Sequence, residues 1–127
     1  MDIVNFIYDG SFDGLLTAVF EAYNEKILPD KIITEEESPG LLFEDNRFVD
    51  TDPEKSFRVL NGVLRELGAS GVEDLKLAAC SGQHDKGIVI FNYLRAVFKF
   101  GKKVESMYNL PQVMDYTSIL HRVGYEI

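Results

Sequence analysis

The fold is decided by residues 3–23, IVNFIYDGSFDGLLTAVFEAY. Ile3 to Tyr8 is a short run rich in β-branched and aromatic residues that ends at the turn dipeptide Asp9-Gly10, and this predicts a buried strand. Ser11 stands at a helix N-cap position, where its hydroxyl can accept a hydrogen bond from a first-turn amide, which is worth about 1 kcal/mol. We therefore expect a strand, a tight turn and a helix that lies on the strand.

The helix after this turn has one apolar face. Its apolar residues follow one another at spacings suited to a helix and are Phe12, Leu15, Leu16, Val19 and Tyr23. Asp13, Glu21 and Asn24 fall away from that face. We expect the apolar face to be buried.

The next segment, residues 27–46, is mostly a connection. It contains two prolines and the acidic triplet Glu35-Glu36-Glu37, which we interpret as a solvated run. A short strand is predicted at Lys31 to Thr34, and another at Arg47 to Asp50.

A second helix is predicted to begin at Thr51-Asp52-Pro53-Glu54. This segment matches a capping box, with Thr51 as the capping residue and proline in the first turn. Gly68 stands where a C-terminal glycine is expected. The core face of this helix is predicted to consist of Phe57, Leu60, Leu64 and Leu67.

The C-terminal half is predicted to be helical. Further helices are expected at Val72 to Cys80, at Asp85 to Phe100 with Gly101 as its stop, and from about Pro111 onward. The predicted fold class is α+β, a small two- or three-stranded sheet packed by four or five helices. An antiparallel sheet is considered, and the strand order cannot be derived from the sequence.

The composition is that of a soluble globular protein. The chain has 127 residues, of which 46% are hydrophobic and 27% charged, so we expect one domain spanning 1–127. No apolar run approaches the roughly 18 residues of a membrane span, and the start has no basic region typical of a secretory signal. We expect a cytoplasmic protein. Its single cysteine, Cys80, excludes an internal disulfide and is expected to be a small buried residue.

The net charge of −8 is unevenly distributed. Residues 1–63 contain 5 Lys and Arg against 14 Asp and Glu, whereas residues 64–127 contain 8 against 7. Between Lys86 and Lys103 there are five basic residues and no acidic one. An anionic partner would therefore be met by this basic region.

The helix that ends at Gly101 separates its side chains into an apolar sector and a polar, mostly basic one. The polar sector consists of Asn92, Arg95, Lys99, Lys102 and Lys103. These residues are candidates for contact with nucleic acid or an acidic partner, and Tyr93 is a candidate for hydrogen bonding or stacking. The simpler interpretation is that basic residues near a helix C-terminus stabilise the helix dipole.

The turn Asp9-Gly10-Ser11 followed by Asp13 is the second candidate. A phosphate site at this helix start is disfavoured because two carboxylates would repel an anion. A divalent metal held by Asp9 and Asp13 is the more coherent functional interpretation, although such ions need further oxygen ligands. The structural interpretation is an ordinary turn and cap, which the composition favours.

Other motifs of catalysis are weak or missing in the sequence. Cys80, His84, Asp85 and His121 lack the paired spacing of a zinc site. There is no Walker A sequence, no dinucleotide-binding glycine motif and no cysteine cluster for iron and sulfur. We therefore predict no cofactor, no metal and no catalytic residue for this chain.

Three segments together resemble a known family. They are Tyr8 to Tyr23, the segment Val49 to Lys55, and Asn92-Tyr93-Leu94-Arg95 followed by Phe98 and Gly101. In these segments, which are spread over nearly the whole chain, the sequence resembles a family of bacterial DNA metabolism proteins. That family is a domain of unknown function associated with a radical-SAM partner and sometimes fused to a uracil-DNA glycosylase-like domain.

The resemblance implies a process and partners but no mechanism. It implies a role in DNA metabolism or DNA repair, with a radical-SAM protein, a uracil-DNA glycosylase-like domain or DNA as partner. Relative to the family pattern the chain ends early, at residues 123–127, so it is expected to be the N-terminal part of a longer protein. Three functions stay open: a noncatalytic docking domain, a metal-dependent enzyme acting on nucleic acid through Asp9 and Asp13, and an oligomerisation domain.

Overall fold

The structure is a computed structural model that describes residues 3–38 and 43–126. The chain falls into two compact units, Met1–Val59 and Leu60–Ile127. Within the described residues the fold is α+β, with a three-stranded parallel sheet, four α-helices and a mostly helical C-terminal half. The predicted fold class is thus confirmed.

The first unit contains the sheet. Its elements are β1 (Val4–Tyr8), α1 (Phe12–Glu25), β2 (Lys31–Thr34) and β3 (Asp45–Phe48), and a short 3₁₀ helix, Glu35–Glu37, follows β2. The strand order is β2-β1-β3, and both pairs are parallel. The antiparallel expectation is wrong, because α1 returns the chain to the starting end of the sheet before β2 begins, and such a crossover joins parallel strands.

The strand predictions hold in part. The strand at Lys31–Thr34 has the predicted bounds, whereas β3 begins and ends two residues earlier than predicted. Strand β1 is central and contains a fully buried polar residue, Asn5. Its side-chain amide donates to Glu44 Oε1 at 2.6 Å and to Asn46 Oδ1 at 2.9 Å. Among the described residues, Asn5 Oδ1 has no hydrogen-bond partner.

Helix α1 packs on β1 as predicted. Ser11 is its N-cap, and the Gly14 amide donates to Ser11 Oγ at 2.9 Å. Leu15, Leu16 and Val19 are buried, but Tyr23 is 41% exposed, so its predicted burial is wrong. In the last turn of the helix the buried position is Ala22, at 1% exposure, instead of Tyr23.

Helix α2 (Pro53–Ala79) begins where the sequence predicts a helix. Its cap is Asp52 instead of Thr51: Asp52 Oδ1 accepts from the amides of Glu54 at 3.0 Å and Lys55 at 3.3 Å. Gly68 interrupts the helix as predicted: its backbone is non-helical, and the chain kinks there between two helical stretches. Gly68 has φ 79° and ψ −173°, a backbone conformation that residues other than glycine rarely adopt.

The buried face of α2 differs in part from the predicted one. Leu67 is buried as predicted and Leu60 is half-buried, but Phe57 and Leu64 are 64% and 47% exposed. Val59 and Val63, which lie outside the predicted face, are buried. Both sets of residues have helical spacing, so the pattern alone could not choose between two neighbouring apolar stripes.

The second unit is helical. It contains the remainder of α2, then α3 (Lys86–Phe100), a 3₁₀ helix (Gly101–Ser106) and α4 (Pro111–Glu126). Helix α3 packs against α4, and the rings of Tyr93 and Tyr116 stack with centroids 3.7 Å apart. None of the described helices is both long enough and apolar enough to cross a membrane.

Candidate functional site

Four basic side chains lie at the C-terminal end of α3 and in the 3₁₀ helix after it. Arg95 and Lys99 are four residues apart on α3, which places them on one face, and Lys102 and Lys103 follow directly after the helix. All four residues are exposed, whereas Asn92, one turn before Arg95, is half-buried. We call Arg95, Lys99, Lys102 and Lys103 the basic surface.

Within the part of the chain that the structure describes, no residue of the basic surface forms an ion pair. Lys99 Nζ lies 5.3 Å from the centroid of the Phe100 ring, a cation–π contact, and Lys99 is the basic residue in the last turn of α3. The helix dipole therefore accounts for one of the four positions directly. The surface as a whole presents positive charge to the solvent.

Tyr93 does not belong to this surface. It is buried and stacks on Tyr116 with an interplanar angle of 3°. Burial raises the pKa of Tyr93 to about 12, and the carboxylates of Glu105 and Asp74 add to the shift. The prediction that Tyr93 could stack on a base is wrong, because the side chain is only 7% exposed and one face of its ring is covered by Tyr116.

The acidic turn after β1 is a network of hydrogen bonds. Asp9 Oδ1 accepts from the amide and the hydroxyl of Ser11 at 2.9 and 2.6 Å, and Asp9 Oδ2 accepts from the Thr51 hydroxyl at 2.8 Å. These bonds, led by that from the Ser11 hydroxyl, hold the pKa of Asp9 below its ordinary value of 3.8. Gly10 makes the turn with φ 89°.

Asp13, four residues after Asp9, also accepts a hydrogen bond from a hydroxyl group. Asp13 Oδ1 accepts from the Ser56 hydroxyl at 2.7 Å, and Thr17 Oγ1 accepts from the Asp52 amide at 3.1 Å. Both candidate metal ligands thus bind hydroxyl groups of the segment where α2 begins. An ordinary turn and helix cap is sufficient to explain these contacts of Asp9 and Asp13.

No metal-binding cluster occurs in residues 3–38 and 43–126: nowhere in them do three His, Cys, Asp or Glu side chains come together. Cys80 lies just beyond the end of α2 and is exposed, so its predicted burial is wrong. His84 lies in the loop before α3, as predicted, and His121 lies on α4.

A cavity of about 330 Å³ lies beside β3, inside the first unit. Lys55 pairs with Glu21, and Arg47 pairs with Glu25 at 3.3 Å. Lys55 Nζ also lies 5.7 Å from the centroid of the Phe20 ring. The residues that line the cavity are Phe6, Glu21, Glu25, Arg47, Phe48, Val49, Asp50 and Lys55.

Sequence reasoning missed this cavity. Its residues come from β1, α1, β3 and the start of α2, so they share no spacing or motif. The register offers the only signal, since Phe6 and Arg47 are opposite each other in the β1–β3 pair and so share a face of the sheet.

Comparison of the chain with protein-family models, curated proteins and solved structures finds no match. The resemblance to bacterial DNA metabolism proteins therefore stays a prediction that rests on the three segments named above.

Proposed function

We propose that this chain is a noncatalytic docking domain in DNA metabolism that binds DNA, or an acidic surface of a partner protein, through the basic surface. The single observation that carries the proposal is the exposure of four cations without an ion pair among the described residues. The process and its partners, a radical-SAM protein or a uracil-DNA glycosylase-like domain, come from the sequence resemblance alone.

The charge distribution restricts where an anionic partner binds. Residues 60–63 are uncharged, so the first unit carries all 14 acidic residues against 5 basic ones of the N-terminal half, and the second unit carries 7 against 8. The first unit repels a polyanion, while the second does not. We expect weak binding that falls steeply with salt, because phosphate contacts release counterions.

The test is fluorescence anisotropy with labelled single-stranded and double-stranded DNA over a range of salt concentrations. The triple variant R95E/K99E/K103E should abolish binding, because it reverses three charges of the basic surface. The matched control R58E/K76E/R122E reverses three other exposed cations and gives the same net charge. The control should retain most of the binding and the salt dependence.

The results of this experiment distinguish binding at the basic surface from a nonspecific effect of charge. Unchanged DNA binding by R95E/K99E/K103E would remove the basic surface as the site, and equal loss in both triple variants would indicate a nonspecific charge effect. If the wild-type chain binds neither DNA, the DNA arm is wrong, and the same pair of variants is then compared for binding to the radical-SAM partner.

A second function, oligomerisation, is favoured by the exposed apolar stripe of α2. Phe57 and Leu64 are two helical turns apart on this helix, and both are about half exposed or more. Light scattering at high protein concentration should then show a dimer or larger species that F57E/L64E converts to a monomer. A monomeric wild-type chain would dismiss this function.

A further inference from the structure

Strand β3 forms one edge of the sheet. It pairs with β1 alone among the described strands, and the amides of Asp45 and Val49 donate inward to Ile3 and Ile7 carbonyls, both at 2.8 Å. Because donors alternate along a strand, the amide of Phe48 lies on the side away from β1. An edge of this kind is a template on which another extended segment can pair.

The cavity described above is lined in part by residues of this same strand and of the segment that follows it. Its lining includes Phe48, which is 67% exposed, together with Val49 and Asp50 from the residues that follow β3. At about 330 Å³ it has the size of a small ligand pocket. A strand added along β3 would therefore pass within side-chain reach of the cavity.

The charge of the lining selects the occupant. Three carboxylates, Glu21, Glu25 and Asp50, face two cations, Lys55 and Arg47. Lys55 is held by Glu21, and Arg47 by both Glu25 and Asp45, the latter at 3.1 Å.

Asp50 is the third carboxylate of the cavity lining. No cation of the described residues pairs with it, and the surrounding unit carries 14 acidic residues against 5 basic ones. The lining and the surroundings both favour a positively charged guest.

We propose that the outer edge of β3 binds a basic peptide segment as an added strand, with one lysine or arginine side chain of that segment in the cavity next to Asp50. Main-chain hydrogen bonds to the edge supply affinity, and the cavity supplies the preference for a basic residue. This site is separate from the basic surface, which lies in the second unit. The site at β3 is proposed for a positively charged partner, whereas the basic surface is proposed for a negatively charged one.

The test uses the full chain and fluorescein-labelled probe peptides in which threonine and valine alternate around a central arginine. The arginine peptide should bind at least about tenfold more tightly than the same peptide with central glutamate. A third peptide, N-methylated at alternate amides, should bind weakly because it cannot pair with the edge. On binding the arginine peptide, the Phe48 amide should shift in the NMR spectrum and exchange more slowly with solvent.

Two variants locate the site. Asp50→Lys should weaken the arginine peptide about tenfold or more, whereas Glu73→Lys, which makes the same charge change at an exposed residue of the second unit, should bind like the wild type. Far-ultraviolet circular dichroism confirms that both variants fold. The proposal is overturned if no probe binds, if the arginine and glutamate peptides bind equally, if N-methylation has no effect, or if Asp50→Lys binds like Glu73→Lys.

Discussion

The Thr51 hydroxyl donates to Asp9 Oδ2 at 2.8 Å and so joins two residues that are 42 positions apart in the sequence. With the Asp13–Ser56 bond, it ties the turn after β1 to the segment that begins α2. The carboxylates of Asp9 and Asp13 thus hold two segments of the first unit together, and this role leads to testable consequences for stability.

Replacing Asp9 with asparagine should destabilise the protein. Asparagine keeps one oxygen acceptor but loses the charge that strengthens the bonds from Ser11 and Thr51, so we expect a loss of about 1 kcal/mol in the free energy of unfolding. Urea unfolding at neutral pH measures the change. Asp30→Asn, a substitution of another exposed aspartate that accepts a single backbone bond, serves as a control and should cost less.

Asp9→Asn should also make the free energy of unfolding depend less on pH in the acid range. Because the pKa of folded Asp9 lies below its ordinary 3.8, the contribution of this carboxylate is complete above pH 3.8 and is lost as the pH falls through the folded value. Wild type and Asp9→Asn should therefore differ in stability above pH 3.8 and converge only as the pH falls below the pKa of folded Asp9. A difference that stays constant down to acid pH would contradict the role of the charge.

Gly14→Ala should destabilise α1 even though alanine is the better helix former. An added methyl group would overlap the Asp9 carboxylate and lie 3.0 Å from the hydroxyl oxygens of both Ser11 and Thr51. We expect a loss of about 1–3 kcal/mol, measured by urea unfolding. Gly124→Ala on α4, where a Cβ would meet none of the described atoms within 4 Å, should be neutral or slightly stabilising.

Lys86→Met should loosen the end of α2. Lys86 Nζ donates to the carbonyl oxygens of Ala79 at 2.8 Å and Ser81 at 2.9 Å, so the substitution leaves both acceptors without this donor. The expected loss is about 1–2 kcal/mol in guanidinium unfolding. Lys76→Met, at an exposed residue of the same helix, should change stability much less, and an equal loss would contradict the capping role.

Tyr93 should make the protein sensitive to alkali. Its pKa is raised from 10.0 to about 12 in the folded state, so the folded form holds the phenolic proton more tightly, and stability is complete below pH 10 and declines as the pH rises toward 12. Tyr93→Phe should show a smaller decline over this range. Unfolding measured at a series of alkaline pH values, with Tyr108→Phe as the exposed control, tests the expectation.

The sequence predicted the elements better than their arrangement. The strand, the Ser11 cap and the helix at Phe12 were predictable because each depends on neighbouring residues. The parallel direction of β3 depends on pairing with β1 some 41 residues away, as in Asn5 with Asn46, and local patterns hold no information on it. Phe57 and Val59 show a similar limit, because two apolar stripes with the same period run along α2.

The candidate functional residues show the same difference between features set by neighbouring residues and features set by distant ones. The basic surface was predictable because Arg95 and Lys99 follow helical spacing on one element, and the structure finds both exposed. The loss of Tyr93 from that surface was not predictable, since it depends on a ring of α4, Tyr116. Likewise, Thr51 was expected to cap α2, and only the folded chain shows that its hydroxyl bonds to Asp9.

The buried amide of Asn5 has a consequence for how the strands align. Its two donated bonds reach Glu44 and Asn46 in the register that places Asn5 opposite Asn46, and a slip of β3 by one residue would place Asp45 or Arg47 there and break this pair of bonds. A slip by one residue also turns every side chain of the strand to the other face. Asn5 thus selects one register of the central strand pair, a contribution to uniqueness of structure that a measurement of unfolding free energy alone does not record.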